Sequence, residues 1–228
     1  MVTEQRSSVF EIDAVLTCLA KKRPVFHSEC DFQIEFGWAV RAALPGAQVR
    51  AEWPPPSRPG WHIDLLAVEG SDRTLIELKY PTAQLDAIVG DEEFRLRAGA
   101  TDVSMASYWN DVARVEQAVL VDGVAGRGFA IMLTNEHLFW DEPRSQKVKF
   151  MQFHTHEGAR HGPGMLECDP SASKSTRNQC PSCELLGGYT VHWQPYSDLG
   201  RLDGAHVVGA GEFRFAAIEV KGLATEGR

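Results

Sequence analysis

Three charged side chains on two apolar segments could do chemistry together. Asp64 lies in an apolar run that ends at Val68, and Glu77 and Lys79 lie in a second run that begins at Thr74. A short segment of Gly, Ser and Asp separates the runs, which predicts two strands joined by a tight turn. Side chains two apart on a strand point to the same face, so Glu77 and Lys79 share a face of the second strand.

The spacing of the two carboxylates predicts that they face each other. A hairpin that is symmetric about Gly70 and Ser71 places Asp64 opposite Glu77. Directly opposed residues have Cβ atoms about 4.5–5.5 Å apart. Two like charges at about 5 Å repel by roughly 3 kcal/mol at an effective dielectric near 20, and a buried unpaired charge costs more. Lys79 can supply one compensating charge, and Mg²⁺ or Mn²⁺ suits paired hard carboxylate ligands better.

A helix upstream of the hairpin is expected to carry a third carboxylate. Ser28 is a suitable N-cap, and the helix is expected to end near Leu44, before a Pro-Gly pair. Glu29 precedes two phenylalanines at helical spacing and so falls on the apolar face, whereas Asp31 and Glu35 project elsewhere. Spacing therefore favours Glu29 as the carboxylate aimed at the hairpin. The alternative is that Glu29 only stabilises the helix N-terminus, by about 0.3–1 kcal/mol.

Taken together, these motifs resemble the PD-(D/E)XK superfamily of nucleases, which have the restriction-endonuclease-like fold. A group of bacterial members of that superfamily is more similar still. It shares a helix start, a central strand and a late strand, which correspond here to Ser28–Gln33, Ile76–Tyr80 and Phe213–Phe215. The resemblance runs from about residue 26 to residue 220 and is weakest between His154 and Leu186.

The resemblance implies an α/β fold with a restriction-endonuclease-like core, a mixed central β-sheet flanked by helices, and a C-terminal β extension. It implies a metal-dependent nuclease that hydrolyses phosphodiester bonds in DNA. Asp64, Glu77 and the Leu78 backbone carbonyl would bind Mg²⁺ or Mn²⁺, and Glu29 would complete the shell or hold a second ion. Lys79 would position or help to deprotonate the attacking water and stabilise charge on the phosphate.

Two other interpretations stay open. The domain could be a catalytically inactive restriction-like module that binds nucleic acid or a protein partner, or the three hairpin charges could form only a buried ion cluster. A homodimer, which is common in the superfamily, is compatible with the sequence.

Composition limits the range of partners. The chain has 228 residues, 43% of them hydrophobic, and a formal net charge of −8. We expect one domain, with an N-terminal helical segment in residues 1–25, a catalytic core in residues 26–140 and the extension in residues 141–228. The negative charge argues against extensive nucleic-acid binding over the protein surface and for local attraction to phosphates. Neither a secretory signal nor a membrane span is apparent, so we expect a cytoplasmic protein whose five cysteines are reduced.

Periodicity predicts the remaining elements. The clearest is a helix over Asp102–Val121, whose apolar stripe is expected to be core and whose Asp111, Arg114 and Glu116 are expected on the polar side. The other expected elements are a helix over Val9–Lys22, one or two helical turns over Gln84–Val89, and strands over Gln48–Trp53, Phe129–Thr134, Tyr189–Gln194 and Glu212–Val220.

Three arginines are candidate nucleic-acid contacts. Arg58 lies in a stiff proline-rich connector, and Arg95 and Arg97 share one face of a charged segment after Gly90. The alternatives are a simple rigid loop for the first and ordinary solvated charges for the other two.

The segment from about residue 154 to residue 188 is predicted to be mostly surface loop. It contains Cys180 and Cys183, which could form half of a zinc site if Cys168 or histidines complete it. A single Cys-x-x-Cys is a weak signal, and an irregular loop is the favoured interpretation. A second Glu-x-Lys, at Glu219 and Lys221, is interpreted as the solvent-reaching end of a strand.

Overall fold

Helices pack on both faces of a mixed β-sheet. The computed structural model describes residues 11–145 and 150–222. The helices in these ranges are α1 (Ile12–Ala20), α2 (Glu29–Ala43), α3 (Thr101–Glu116) and α4 (Lys174–Gln179). The strands are β1 (Gln48–Trp53), β2 (Ile63–Glu69), β3 (Asp72–Lys79), β4 (Leu85–Val89), β5 (Glu92–Leu96), β6 (Arg127–Thr134), β7 (Arg160–His161), β8 (Gly164–Leu166), β9 (Cys183–Leu185), β10 (Tyr189–Thr190), β11 (Trp193–Asp198), β12 (His206–Gly209) and β13 (Glu212–Lys221). No helix in these ranges has the length and apolar character needed to cross a lipid bilayer.

The central sheet has six strands in the order β1-β2-β3-β6-β13-β11. The β3–β6 pair is parallel, and the other neighbouring pairs are antiparallel. A parallel pair requires a crossover connection, and α3 lies in the connection from β3 to β6. The C-terminal strands β11 and β13 extend this sheet, while β12 pairs with β4 in a separate sheet.

Alternation along the strands divides the core into two layers. Leu65 and Ile76 pack in one apolar cluster with residues of α1 and α2. Their neighbours Leu66 and Leu75 pack in another cluster with Val115 of α3. Successive side chains on a strand point to opposite faces, so the hairpin of β2 and β3 is buried on both sides.

The hairpin register is the predicted one. The ladder runs from Leu65 opposite Ile76 to Glu69 opposite Asp72, which is symmetric about the predicted turn. Gly70 has a φ of 60°, a left-handed conformation that glycine adopts without a Cβ penalty. The turn therefore sets which side chains face each other further along the strands.

The predicted N-cap is confirmed. Ser28 has extended backbone dihedrals, and its Oγ accepts a hydrogen bond from the Asp31 N–H at 3.2 Å. The strand over Gln48–Trp53 is confirmed with the predicted bounds. The first helix is also observed, although Val9 lies outside the described residues.

One element prediction is wrong, and two others are observed in a different form. The segment Gln84–Val89 is not helical: Leu85 and Ala87 are buried at a spacing of two, and the segment forms β4. The helix predicted to reach Val121 ends as α-helix at Glu116, and a π-helical turn covers Gln117–Val121. The predicted strand over Tyr189–Gln194 is divided between β10 and β11.

The predicted surface loop is also wrong in one respect. Much of it is irregular, but it contains β7 to β9 and α4, and several of its apolar side chains are buried. Leu166, Leu185 and Val191 pack in one cluster with Trp109 of α3. The segment therefore covers α3 and does not stand out in solvent.

Candidate functional site

The predicted carboxylates lie where the backbone ladder of β2 and β3 ends. Leu65 and Ile76 are its last pair. Beyond them, Asp64 Oδ2 accepts a hydrogen bond from the Leu78 N–H at 2.7 Å, and the Asp64 N–H donates to Glu77 Oε2 at 3.5 Å. Side-chain oxygens thus take the place of backbone acceptors at this point. This substitution holds the two carboxylates next to each other.

Glu29 and Lys79 reach the same place, which we call the notch. Lys79 Nζ lies 4.0 Å from Glu29 Oε1. The other oxygen, Glu29 Oε2, accepts a hydrogen bond from the Tyr80 N–H at 2.9 Å. The N-terminus of α2 is therefore joined to the end of β3 through a carboxylate that keeps 41% of its side chain exposed.

Two further charged residues enter the notch from α3. Asp111 Oδ2 lies 3.1 Å from Lys79 Nζ. Arg114 Nη2 lies 3.0 Å from Glu77 Oε1, and Nη1 lies 3.5 Å from Asp111 Oδ1. The same guanidinium also donates to the backbone oxygen of His62. Sequence reasoning did not assign either residue of this pair to the site.

The prediction that Asp111 lies on the polar side of α3 is wrong, because the residue is 4% exposed. It follows Tyr108 by three residues and precedes Val115 by four, and both of these are buried members of the apolar stripe. Residues three and four apart share a face of a helix. The spacing thus places Asp111 on the buried face of α3. The prediction missed this because a charged side chain was assigned to solvent.

The same prediction is wrong for Glu116, which is completely buried. Its carboxylate accepts hydrogen bonds from the N–H groups of Leu186 and Gly187 and from the Tyr189 hydroxyl. Glu116 therefore holds the chain after β9 against α3 and has no contact with the notch among these bonds.

Burial and crowding shift the pKa values in the notch. Burial, and then the neighbouring Asp111, raise the pKa of Glu77 well above its ordinary value, against the opposing effect of Arg114. Burial raises the pKa of Asp111 to about 6, although Lys79 and Arg114 act to lower it. Burial alone would lower the pKa of Lys79, but Asp111 and Glu29 outweigh it and raise that pKa. Lys79 is therefore a cation at neutral pH.

Two buried carboxylate oxygens have unused hydrogen-bonding capacity. Glu77 Oε1 and Asp111 Oδ2 have no hydrogen-bond partner among the described residues. Each nevertheless lies within ion-pair distance of a cation, 3.0 Å from Arg114 and 3.1 Å from Lys79. These oxygens therefore remain able to accept a further donor or a cation.

The notch matches a hard divalent cation in donor type and charge but not in the arrangement of its oxygens. Four carboxylates against two cations leave a formal charge of −2 when all are ionised; the six residues are Glu29, Asp64, Glu77, Asp111, Lys79 and Arg114. Carboxylate oxygens are the ligands that Mg²⁺ and Mn²⁺ prefer. In the described parts of the chain, however, no group of three or more His, Cys, Asp or Glu side chains is arranged to hold a metal. The oxygens instead face Leu78, Arg114 and Lys79.

The three arginines predicted to contact nucleic acid each face an acidic side chain. Arg58 Nε lies 2.8 Å from Asp122 Oδ2. Arg95 pairs with Glu93 at 2.6 Å and Arg97 with Asp86 at 3.2 Å, and both arginines are largely exposed. None of the three contacts the notch through these pairs.

The cysteines of the zinc hypothesis are part of an apolar cluster. Cys168, Cys180 and Cys183 are free and buried. Burial raises the pKa of Cys180 to about 12 and that of Cys183 to about 11, so these two thiols hold their protons at neutral pH. The nearby His154 stacks on Phe150, and burial lowers its pKa.

Comparisons of the chain with models of known protein families, with curated proteins and with solved structures find no match.

Proposed function

We propose that the protein is a metal-dependent nuclease with a restriction-endonuclease-like core that hydrolyses phosphodiester bonds in DNA. The observation that carries the proposal is the meeting of Asp64, Glu77 and Lys79 at the point where β2 and β3 separate. The order of the elements supports it: α2, the strands β1 to β3, then α3 and a parallel β6. A chain has little reason to place a half-buried Asp64 beside a buried Glu77 unless the pair has a task.

Four side chains of the notch and one backbone carbonyl have a defined role in this proposal. Asp64, Glu77 and the Leu78 carbonyl would hold Mg²⁺ or Mn²⁺, which polarises the phosphodiester and lowers the pKa of water. Lys79 is cationic, so it suits the stabilisation of negative charge on the phosphate better than proton abstraction. Glu29, bonded to the Tyr80 N–H, fixes the end of β3 on which Lys79 stands.

The contact between Arg114 and Glu77 favours a second candidate function. A guanidinium 3.0 Å from Glu77 already compensates this carboxylate without a metal. A domain of this kind could bind nucleic acid or a protein partner and lack catalysis. Metal binding separates the two candidates, because only the nuclease requires it.

The first experiment is a metal titration of the melting temperature. For the nuclease we expect Mn²⁺ to raise the melting temperature of the parent protein but not of Glu77→Ala. Glu219→Ala is the matched control, since Glu219 stands in the second Glu-x-Lys on the described chain and is 30% exposed. The control should respond to Mn²⁺ as the parent does.

The second experiment tests cleavage. The protein is incubated with plasmid, linear and single-stranded DNA in Mg²⁺ or Mn²⁺, beside Lys79→Ala. We expect cleavage by the parent and a loss of at least about a hundredfold in the variant, the order of one lost electrostatic group in an active site. Absence of both cleavage and the metal response would reject the nuclease and leave the binding module.

A further inference from the structure

A shallow cavity of about 440 Å³ opens near the turn between β2 and β3. Arg50 and Trp53 of β1 and Arg73 of β3 line it, together with Leu66 and Val68 of β2. We call it the arginine cavity. It lies outside the notch and shares no lining residue with it.

The arginine cavity opens on the same face of the sheet as the notch. Arg50 pairs with Leu66, and Leu66 pairs with Leu75, so these side chains form one row across the strands. Arg73 and Glu77 lie on this face as well, because each is two positions from Leu75 on β3. They are four positions from each other. Four residues of strand separate them by about 13 Å. Leu66 and Leu75 lie on this face and are buried against α3, so a ligand that occupies both sites must pass around this contact.

The two arginines form no ion pair with an acidic side chain in the described parts of the chain. Arg50 is exposed and hydrogen-bonds to the neutral Gln48 side chain at 2.9 Å. The Arg73 guanidinium lies over the Trp53 ring, 5.1 Å from its centroid, and its Nε is buried without a hydrogen-bond acceptor. Neither forms an ion pair with a carboxylate within residues 11–145 and 150–222. The candidates named from the sequence differ in this respect, since Arg58, Arg95 and Arg97 are all paired.

We propose that the arginine cavity binds phosphate groups of the nucleic acid that the notch would cleave. The inference rests on the proposed function and adds the surface that holds its substrate. A guanidinium presents two parallel donors to a phosphate, and the cavity brings two guanidinium groups together on a chain of net charge −8. At the 3.4 Å rise of duplex DNA, about 13 Å corresponds to roughly four nucleotide steps from the notch. The Trp53 ring packs against the Arg73 guanidinium and so restricts its position.

The test measures binding apart from cleavage. Anisotropy of a fluorescent 20-base-pair duplex is followed in EDTA over a series of salt concentrations, for the parent and for the double variant Arg50→Gln/Arg73→Gln. We expect about a tenfold weaker affinity in the double variant at moderate salt. The slope of log K against log salt should fall by about two, because each phosphate contact contributes about 0.9. The matched control is Arg201→Gln/Arg214→Gln, which removes the same charge from paired positions and should change the slope little.

Each outcome decides the proposal. If the slope falls as expected but the parent protein does not cleave DNA with metal, phosphate binding at the cavity is supported and the nuclease proposal fails. If the parent does not bind DNA, if the double variant keeps the slope of the parent, or if the control loses as much, the cavity is overturned. Displacement of the duplex by polyglutamate at equal charge concentration would indicate an acidic protein partner instead and would also overturn it. If the double variant has a much lower melting temperature than the parent, the single variant Arg50→Gln, at the exposed position, replaces it in the test. The slope of log K against log salt should then fall by about one.

Discussion

Arg114 Nη2 lies 3.0 Å from Glu77 Oε1, so a guanidinium from α3 occupies the buried side of the carboxylate at the end of β3. Glu77 is 2% exposed, and Arg114 keeps 30% of its side chain in contact with solvent. In this pair the carboxylate lies in the low-dielectric interior, and the guanidinium reaches the surface. It follows that the protein compensates its acidic notch with its own cations when no metal is present.

Replacing Arg114 should therefore destabilise the metal-free protein and increase its response to metal. Arg114→Gln leaves Glu77 and Asp111 without their shared guanidinium, which we expect to cost about 1–3 kcal/mol of unfolding free energy. If a divalent ion replaces the lost charge, Mn²⁺ should raise the melting temperature of the variant more than that of the parent. Denaturant unfolding in EDTA and thermal melts with Mn²⁺ measure the two effects.

Arg95→Gln is the control for the Arg114 experiment. Arg95 is 65% exposed and pairs with Glu93 at the surface, so its loss should change the unfolding free energy by no more than about 0.5 kcal/mol. An Arg114→Gln variant as stable as this control would mean that the buried contact contributes nothing. Equal metal responses in the variant and the parent would mean that metal does not take the place of the guanidinium.

Glu77 should make the metal-free protein less stable as pH rises. Its pKa in the folded state is raised above the unfolded value, so the folded state retains the proton longer than the unfolded chain does. For a raised carboxyl pKa, the stability that the protonated group contributes is present at low pH and is lost as pH rises above the unfolded value of about 4.3. Glu77→Gln cannot ionise, so relative to the parent it should gain stability between pH 5 and pH 8.

The expected result is a gain that grows as pH rises above the unfolded value of about 4.3. Denaturant unfolding in EDTA at several pH values measures it. In a chain of this size each kcal/mol changes the melting temperature by about 2–4 °C, so thermal melts would also detect it. Glu219→Gln, in the other Glu-x-Lys, should show no such dependence. Parallel pH curves for the parent and Glu77→Gln would show that the buried carboxyl ionises without cost.

Local sequence rules were sufficient for the hairpin but not for α3. The turn at Gly70 and Ser71 fixes the register of β2 and β3 by a short-range constraint, and the register follows from the sequence. Asp111 is buried because it meets Lys79, which lies on a different element and far away in sequence. A helical pattern read by polarity assigns any aspartate to solvent, so long-range charge pairing cannot be recognised from it.

Composition misled the prediction for the segment after Phe153 in a similar way. Its Gly, Pro and Ser content is typical of a loop, and many of its residues are irregular. However, the Trp109 indole donates a hydrogen bond to the Phe153 carbonyl at 3.1 Å, and Leu166 and Leu185 pack in the cluster of that same tryptophan. Scattered apolar residues that are buried by a distant helix leave no periodic signal.

The N-cap of α2 should matter for the notch as well as for the helix. The Ser28 hydroxyl accepts the Asp31 N–H, and Glu29, next in the chain, bonds to the Tyr80 N–H. Ser28→Ala should cost about 1 kcal/mol of unfolding free energy, whereas Ser28→Asp should keep the cap. If the cap also positions Glu29, the alanine variant should respond less to Mn²⁺ than the aspartate variant does. Equal responses would confine the role of Ser28 to helix stability.

Because β6 packs closely against α3, a substitution on β6 can change the geometry of the notch without touching a notch residue. A Cβ at Gly128 would overlap Val115 Cγ1 and would lie 3.2 Å from Val119 Cγ2, so β6 needs glycine at this point. Gly128→Ala should therefore push α3 away from the sheet, at a cost of about 1–3 kcal/mol. Arg114 directly precedes Val115 on that helix, so the same displacement should also weaken the contact between Arg114 and Glu77.

A double-mutant cycle tests this coupling. Val115→Ala alone removes buried methyl groups and should also destabilise, by about 1–3 kcal/mol. The double variant Gly128→Ala/Val115→Ala should be more stable than the sum of the single effects predicts, with a coupling of about 0.5–3 kcal/mol, because the new methyl group fills the space that the valine leaves. Recovery should extend to the site, so that the double variant regains the pH dependence of stability that Glu77 gives the parent. Additive single effects would show that the sheet and α3 adjust independently, and the geometry of the notch would then not depend on this packing.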